Sequence, residues 1–280
     1  MSSLGLFYTI LRPEEKSIAQ AAESRGLHLQ RLRDSDMTFS LEPDGLKVDV
    51  VLNRSVSHSR SVYAMRFFEH YGIPTVNPPA VIERCGDKVV TSLLLKKAGI
   101  PTPRTIVALT PESALKALDL VGYPAVLKPP VGSWGRLQAK VHDHEEAEQI
   151  LEHKSALNSA NHAVFYVQEY VPKPERDIRA MVVGDDLVAA IYRVSSEWRT
   201  NTARGGHAEP LAPTPELTEL SIRAANAVGG GVLAVDLMEA PSGLVVHEVN
   251  HTPEFKNVAR TTNTDIAGRI VDYAVEVGRR

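Results

Sequence analysis

Asp236, Glu248 and Asn250 carry oxygen donors at a spacing that a β-hairpin would bring together. The apolar runs GVLAVDLMEA (231–240) and GLVVHEVN (243–250) flank a turn at Pro241-Ser242-Gly243. Pairing about position 242 sets Asp236 opposite Glu248, and strand alternation puts Glu248 and Asn250 on one face with it. Carboxylates placed opposite one another repel, so this arrangement calls for a cation between them. Oxygen ligands without cysteine favour a hard ion, Mg²⁺ or else Mn²⁺. Glu-x-Asn alone is also what a strand running into a loop shows, so a second, independent signal is needed.

That signal lies upstream, in KPPVGSWGR (128–136). Lys128 ends one strand, and Gly132 to Arg136 turn into the next; glycines let backbone N–H groups approach a phosphate closely. The stretch is not a P-loop, and no Gly-x-Gly-x-x-Gly turn follows the first strand. Lys88 sits in the first turn of a helix behind Asp87, where a lysine is ordinarily solvated. Trp134 is either a surface loop residue or a cover for a nucleotide. NTARGG (201–206) reads as a polar loop. Gly229-Gly230-Gly231 closes a helix without chemistry, His142 and His144 read as surface and capping residues, and Cys85 as a buried structural thiol.

The elements that must position these residues alternate in kind. LGLFYTI (4–10), LKVDVVLN (46–53) and IPTVN (73–77) are strands separated by helices, PEEKSIAQAAESRG ending at Gly26 and SRSVYAMRFFEHYG ending at Gly72. That rhythm predicts a parallel sheet. A helix capped by Asp87 and closed by Gly99 follows, then strands at TIVAL, AVLKP and LQAKV and helices at PESALKALDLVG and HEEAEQILEH. FYVQEYV, DIRAMVVG and DLVAAIYRV are further strands. A helix from Pro215 to Val228, the hairpin and a terminal helix complete the chain. We expect an α/β protein in three parts, 1–85, 86–165 and 166–280.

Bulk properties narrow the function classes. The chain has 280 residues, 43% hydrophobic and 23% charged, with a formal net charge of −3. A length beyond what one core usually holds agrees with several domains. The charge balance gives no footprint for nucleic acid. No run is long and apolar enough to span a membrane. The apolar stretch Leu4–Leu11 runs into Arg12-Pro13-Glu14-Glu15-Lys16, unlike a signal peptide. One cysteine excludes an internal disulfide and suits a reducing compartment, so a cytoplasmic location is expected.

Lys88, Lys128 with its glycine turn, the VQEYV segment, Asp236, Glu248 and Asn250 stand in an order that resembles the ATP-grasp superfamily over nearly the whole chain. CGDK, KPPVGSWGR, RDIRAMVVG, NTARGG and EVNHTPEFKN resemble its RimK-like branch, and within it the ligases that use an amino-group carrier protein. The resemblance implies a Rossmann-like pre-ATP-grasp domain followed by two α+β subdomains that sandwich ATP. It implies that Lys88 and Lys128 hold the phosphates, with Ser133, Trp134 and Gly135 closing over them. Gln168, Glu169, Tyr170 and Val171 would face adenine, and Asp236, Glu248 and Asn250 would hold two Mg²⁺ ions. Arg179, Asn201 and Arg204 would surround the transferring phosphoryl. Arg193, Ser195, Thr252, Glu254, Phe255 and Asn257 would form the amino-acid pocket, with Arg193 as the cation for the substrate's second carboxylate.

The implied activity joins the γ-carboxyl of the C-terminal glutamate of a small acidic LysW-like carrier protein to the amine of α-aminoadipate, through an acyl phosphate. Glutamate as the amine is the nearest alternative, and glutamate addition to a ribosomal protein tail is a third. The resemblance also implies a homo-oligomer, dimer or tetramer. A regulatory module that had lost catalysis should lack a metal ligand or a phosphate lysine, whereas Lys88, Lys128, Asp236, Glu248 and Asn250 are all present.

Overall fold

The computed structural model describes residues 2–42, 45–132, 137–156, 163–198 and 206–280. The chain opens with β1 (Ser3–Tyr8), α1 (Pro13–Ser24), β2 (His28–Arg33), β3 (Val50–Arg54), α2 (His58–His70) and β4 (Thr75–Val76). These strands form a parallel sheet in the order β2-β1-β3-β4. β2 departs from the sequence reading, which takes the second strand to lie near residue 46. Its sequence HLQRLR buries Leu32 and is otherwise largely exposed, as suits an edge strand defended by charge. Periodicity therefore gives it little contrast.

The helices α3 (Pro79–Gly86) and α4 (Lys88–Lys97) lead into the central part. Asp87 ends one and caps the other: its Oδ1 accepts the N–H groups of Val89 at 2.8 Å and Val90 at 3.2 Å. Then follow β5 (Thr105–Ala108), α5 (Pro111–Val121), β6 (Ala125–Lys128), β7 (Ala139–Val141), α6 (His144–Ala156) and β8 (Phe165–Glu169). The four strands pair antiparallel in the order β5-β8-β6-β7, and α5 and α6 cover one face.

The last part holds β9 (Arg176–Val183), β10 (Asp186–Val194), β11 (His207–Leu211), α7 (Pro215–Val228), β12 (Val232–Ala240), β13 (Gly243–Asn250), α8 (Lys256–Thr262) and α9 (Ile266–Val277). Its antiparallel sheet runs β11-β10-β9-β12-β13. α7 spans the residues that the sequence predicts, whereas β11 and α8 lie where only loop was expected. β11, HAEPL, carries a proline and sits at the sheet edge, where a missing N–H is tolerated.

Alternation along this sheet decides where the polar groups emerge. Ala180, Val182, Leu233, Val235 and Leu237 point to one side and pack on Leu220, Ala224 and Val228 of α7 and Leu95 of α4. Met181, Val183, Ile191, Val232 and Ala234 point to the other, against Leu4, Leu6 and Ile18 of the first part and Ile270 and Val271 of α9. Each fully buried Val, Leu, Ile or Met side chain among them contributes roughly 1.5–3 kcal/mol. Two residues further along that second face, the apolar packing gives way to a cleft. Gly231, at φ +115°, immediately precedes β12, where a Cβ would meet Asn77 Oδ1 at 2.1 Å. Its absence lets Asn77 bond Val232 through N–H and C=O and reach the carbonyl of His251, fastening the hairpin to the first part.

Candidate active site

The hairpin forms with Asp236 opposite Glu248 and Ala234 opposite Asn250. The turn itself pairs Ala240 with Gly243, a register that would set Asp236 against His247. A bulge between Asp236 and Leu237 absorbs one residue of β13 and restores the pairing with Glu248. His247 is the extra residue, and both His247 and Glu248 line the cleft.

Asp236 also pairs in register with Arg179 on β9, and Arg193 on β10 pairs with Asp177 on β9. A cross-strand row of charge results. Arg179 donates from Nε to Asp236 Oδ1 at 2.9 Å and from Nη2 to Oδ2 at 2.8 Å. Arg193 grips Asp177 at 2.6 and 2.8 Å, and its Nη2 lies 3.2 Å from Asp236 Oδ2. Asn250 donates to that same oxygen at 3.3 Å. Burial works against the ionised form of Asp236, yet Arg179 and Arg193 outweigh it and hold the carboxyl well below its usual range. The charge of Asp236 is thus balanced by two guanidinium groups, a compensation that the sequence expectation does not include.

Glu248 is more open, 28% exposed, with Lys88 Nζ 3.8 Å from its Oε1. Lys88 also donates to the carbonyl of Gly132 at 2.6 Å. The start of α4 meets the segment after β6 through an Asp87–Val131 bridge and a bond from Lys88 N–H to Pro130 O at 2.9 Å. Lys128, at the end of β6, is buried and donates to Gln168 Oε1 at 2.7 Å. Burial pulls its ammonium down to about 8.

A cleft of about 380 Å³ gathers Lys88, Lys128, Gly132, Gln168, Glu169, Tyr170, Val171, Arg179, Arg193, Asp236, Glu248, Asn250, Thr252 and Glu254. The N–H groups of Glu169 and Tyr170 are already bonded to the carbonyls of Arg104 and Pro124. Glu169 Oε1 accepts the N–H of Arg104 at 2.8 Å. A second cavity of about 220 Å³ adjoins the cleft across Arg12, Arg179, Arg193 and Glu254, and Asn257 lines it.

Other residues fall elsewhere. Phe255 is 2% exposed within the core, beneath the guanidinium of Arg54, because it anchors the segment after β13. Ser195 follows β10; its N–H donates to Glu175 O and its hydroxyl accepts Glu197 N–H, a local turn away from both cavities. Arg193 is 4% exposed and committed to Asp177 and Asp236, so it is not a free cation for a substrate carboxylate. Ser133, Trp134, Gly135, Asn201 and Arg204 lie outside the described residues.

His142 and His144 are exposed and bonded to Glu146 and Asp119. Cys85 lines the cleft, and burial pushes its thiol up, which disfavours the thiolate that a nucleophile requires.

Sequence reasoning missed Arg12, Asp177 and His247. Arg12 stands where a solvated loop residue is ordinary, and strict alternation turns His247 away from Glu248 until the bulge is known. Burial, with Lys128 nearby, pushes the His247 imidazole down to about 4, so it is neutral near pH 7. Among the described residues no three His, Cys, Asp or Glu side chains gather as a metal cluster. Glu248 and the amide oxygen of Asn250 suit a hard cation, and Asp236 has lone pairs to share once a guanidinium shifts.

Residues 85–274 match the family model of the RimK-like ATP-grasp domain, and residues 4–84 that of the LysX preATP-grasp domain. The chain is 36% identical to the alpha-aminoadipate–LysW ligase LysX of Sulfurisphaera tokodaii over 274 residues, 96% of each chain. It is also 36% identical to the glutamate–LysW ligase ArgX of Sulfolobus acidocaldarius, over 96% of this chain and 97% of the other. Among solved structures it superposes on a RimK domain ATP-grasp protein of Sphaerobacter thermophilus with a TM-score of 0.84, 26% identity, and coverage of 98% and 100%. The mixed α/β fold is that of ATP-grasp ligases, and this chain belongs to the RimK-like ATP-grasp family.

Proposed function

We propose that the chain is an ATP-dependent ligase. It joins the γ-carboxyl of the C-terminal glutamate of a LysW-type carrier protein to the amino group of α-aminoadipate, in lysine biosynthesis. The observation that carries this reading is one cleft in which Lys88 and Lys128 face the Arg179–Asp236–Glu248 row. Near full-length similarity to LysX supports the choice of substrates. Equal identity to ArgX favours glutamate as the second reading for the amine.

In this reading Lys88 and Lys128 hold the phosphates of ATP. Gln168 to Val171 border the adenine, and Ser133, Trp134 and Gly135 close over the phosphates. Asp236, Glu248 and Asn250 would hold Mg²⁺, as two ions, with Mn²⁺ as a substitute, and metal bound there would supply positive charge beside the phosphates of ATP. The γ-phosphoryl passes to the carrier's carboxylate, giving an acyl phosphate and ADP. The amine then attacks the acyl carbon, and inorganic phosphate leaves. Arg179, with Asn201 and Arg204, stabilises the transferring group. Residues 1–85, 86–165 and 166–280 act as three units, in a cytoplasmic homo-oligomer. Among the described residues no helix is long and apolar enough to cross a membrane.

ADP release should require the carrier and the amine together. Release with ATP alone at the full rate would reject ligation. Lys128 supplies a pH signature. Its ammonium titrates near 8 in the free protein, and phosphate favours the charged form. Affinity for ADP is therefore flat below about pH 8 and falls as pH rises above it, by at most about tenfold per pH unit. Lys128→Ala should weaken binding and remove that slope. Calorimetry showing constant wild-type affinity up to about pH 9.5 would take Lys128 out of the nucleotide site.

A further inference from the structure

Arg12 lines both cavities and has no part in the chemistry above. It precedes α1, and the buried Glu15 holds it from behind: Nε and Nη2 donate to the two carboxylate oxygens at 3.1 and 2.9 Å. Glu15 also accepts the backbone N–H of Arg12 at 3.0 Å and is itself fixed by the buried Arg54 at 3.0 Å. A bidentate fork sets the direction of a planar guanidinium, so its remaining edge is aimed rather than free to swing. On that edge Nη1 reaches Glu254 at 3.3 Å, whose side chain is 46% exposed. A pair of that kind is weak and replaceable. Two guanidiniums, Arg12 and Arg54, share the carboxylate of Glu15, while Glu14 and Glu254 add negative charge to the lining, so an incoming carboxylate reaches Arg12 by replacing Glu254.

We propose that Arg12 binds the α-carboxylate of the amine substrate, a contact that rests on the ligase reading. The reacting nitrogen must reach the phosphoryl-handling cleft, so it lies at the junction of the cavities. The α-carboxylate is on the carbon that bears this nitrogen and must lie there too. The remaining chain then extends into the smaller cavity, towards Lys256 and Asn257, which line it away from the junction. Its volume of about 220 Å³ leaves room for a small amino dicarboxylate. Arg179 and Arg193 are less suited, since Arg179 is assigned to the transferring phosphoryl and Arg193 spans two buried carboxylates, whereas the remaining edge of Arg12 meets only the exposed Glu254.

The test compares α-aminoadipate with 5-aminopentanoate, which lacks only the α-carboxylate, and with 2-aminohexanoate, in which a methyl group replaces the distal one. Binding is measured by calorimetry with a non-hydrolysable ATP analogue present. Wild type should prefer α-aminoadipate to both. Arg12→Ala should lose about 10- to 150-fold for α-aminoadipate and its preference over 5-aminopentanoate. It should keep its preference over 2-aminohexanoate and its affinity for the nucleotide analogue. Arg12→Lys, which retains the charge but not the fork, should recover part of the lost preference and serves if the alanine variant does not fold. An unchanged preference over 5-aminopentanoate in both variants overturns the role of Arg12 while leaving the ligase reading intact. Failure of wild type to bind any of the amines would overturn that reading and this contact with it.

Discussion

Glu248→Gln should lower Mg²⁺-dependent turnover by at least about 100-fold while leaving the melting temperature of the free protein nearly unchanged. Glu248 is the more open carboxylate of the hairpin, with Lys88 at 3.8 Å as its ion-pair contact. Such partly exposed pairs contribute about 0–1 kcal/mol to stability. Neutralising Glu248 therefore costs the fold little and removes a charged ligand from the proposed metal site. Losing several kcal/mol of charge stabilisation corresponds to hundreds-fold or more in rate. Steady-state kinetics across a Mg²⁺ titration, with a thermal melt of the same sample, checks both halves. Wild-type turnover at millimolar Mg²⁺ would remove Glu248 from the site.

Arg193→Ala should act first on stability. Its guanidinium is buried against Asp177 and Asp236, and its charged form is strongly favoured there. Removing it takes a compensating charge from two buried carboxylates at once. Breaking a buried pair in this way costs about 3–5 kcal/mol, or on the order of 10 °C in Tm for a chain of this size. Asp236→Asn should destabilise for the mirror reason, since Arg179 and Arg193 then face an uncharged amide. The sequence expectation differs: it treats Asp236 as one of two repelling carboxylates that call for a cation between them. Melting curves of the two variants within about 2 °C of wild type would show the row of charge to be dispensable.

That difference shows what a linear reading can reach. Asp236 opposite Glu248 follows from alternation and a turn centred on 242, because both strands are long and regular. The pairing is right only with the bulge at His247, since the turn itself is centred half a residue earlier. A bulge has no distinctive local composition here, so His247 goes unseen. Arg179 and Asp177 lie some 57–59 positions before Asp236, on a strand whose register is set by the packing of two apolar faces. Local periodicity identifies β9 as a strand but does not say which residue of β12 it meets. Arg12 is harder still: its meaning comes from Glu15 behind it and from two cavities that exist only once three sheets are assembled. Lys88 stands where a lysine is ordinarily solvated and is singled out with Lys128 only through the family resemblance; a bridge between Asp87 and Val131 joins the segments that carry them. Phe255 shows the opposite error, because a large apolar residue beside a site is as easily its anchor as its lining.

The most direct test extends the coupled assay from ADP to the product itself. The LysW-type carrier, ATP, Mg²⁺ and α-aminoadipate are incubated with the protein, and the intact mass of the carrier is followed with ADP. The account predicts a mass gain of one α-aminoadipate less one water, matched one-for-one by ADP. The gain should disappear when the carrier's C-terminal glutamate is removed and when the enzyme carries Glu248→Gln. ADP released while the carrier's mass stays unchanged, or a gain that persists on the truncated carrier, would contradict it.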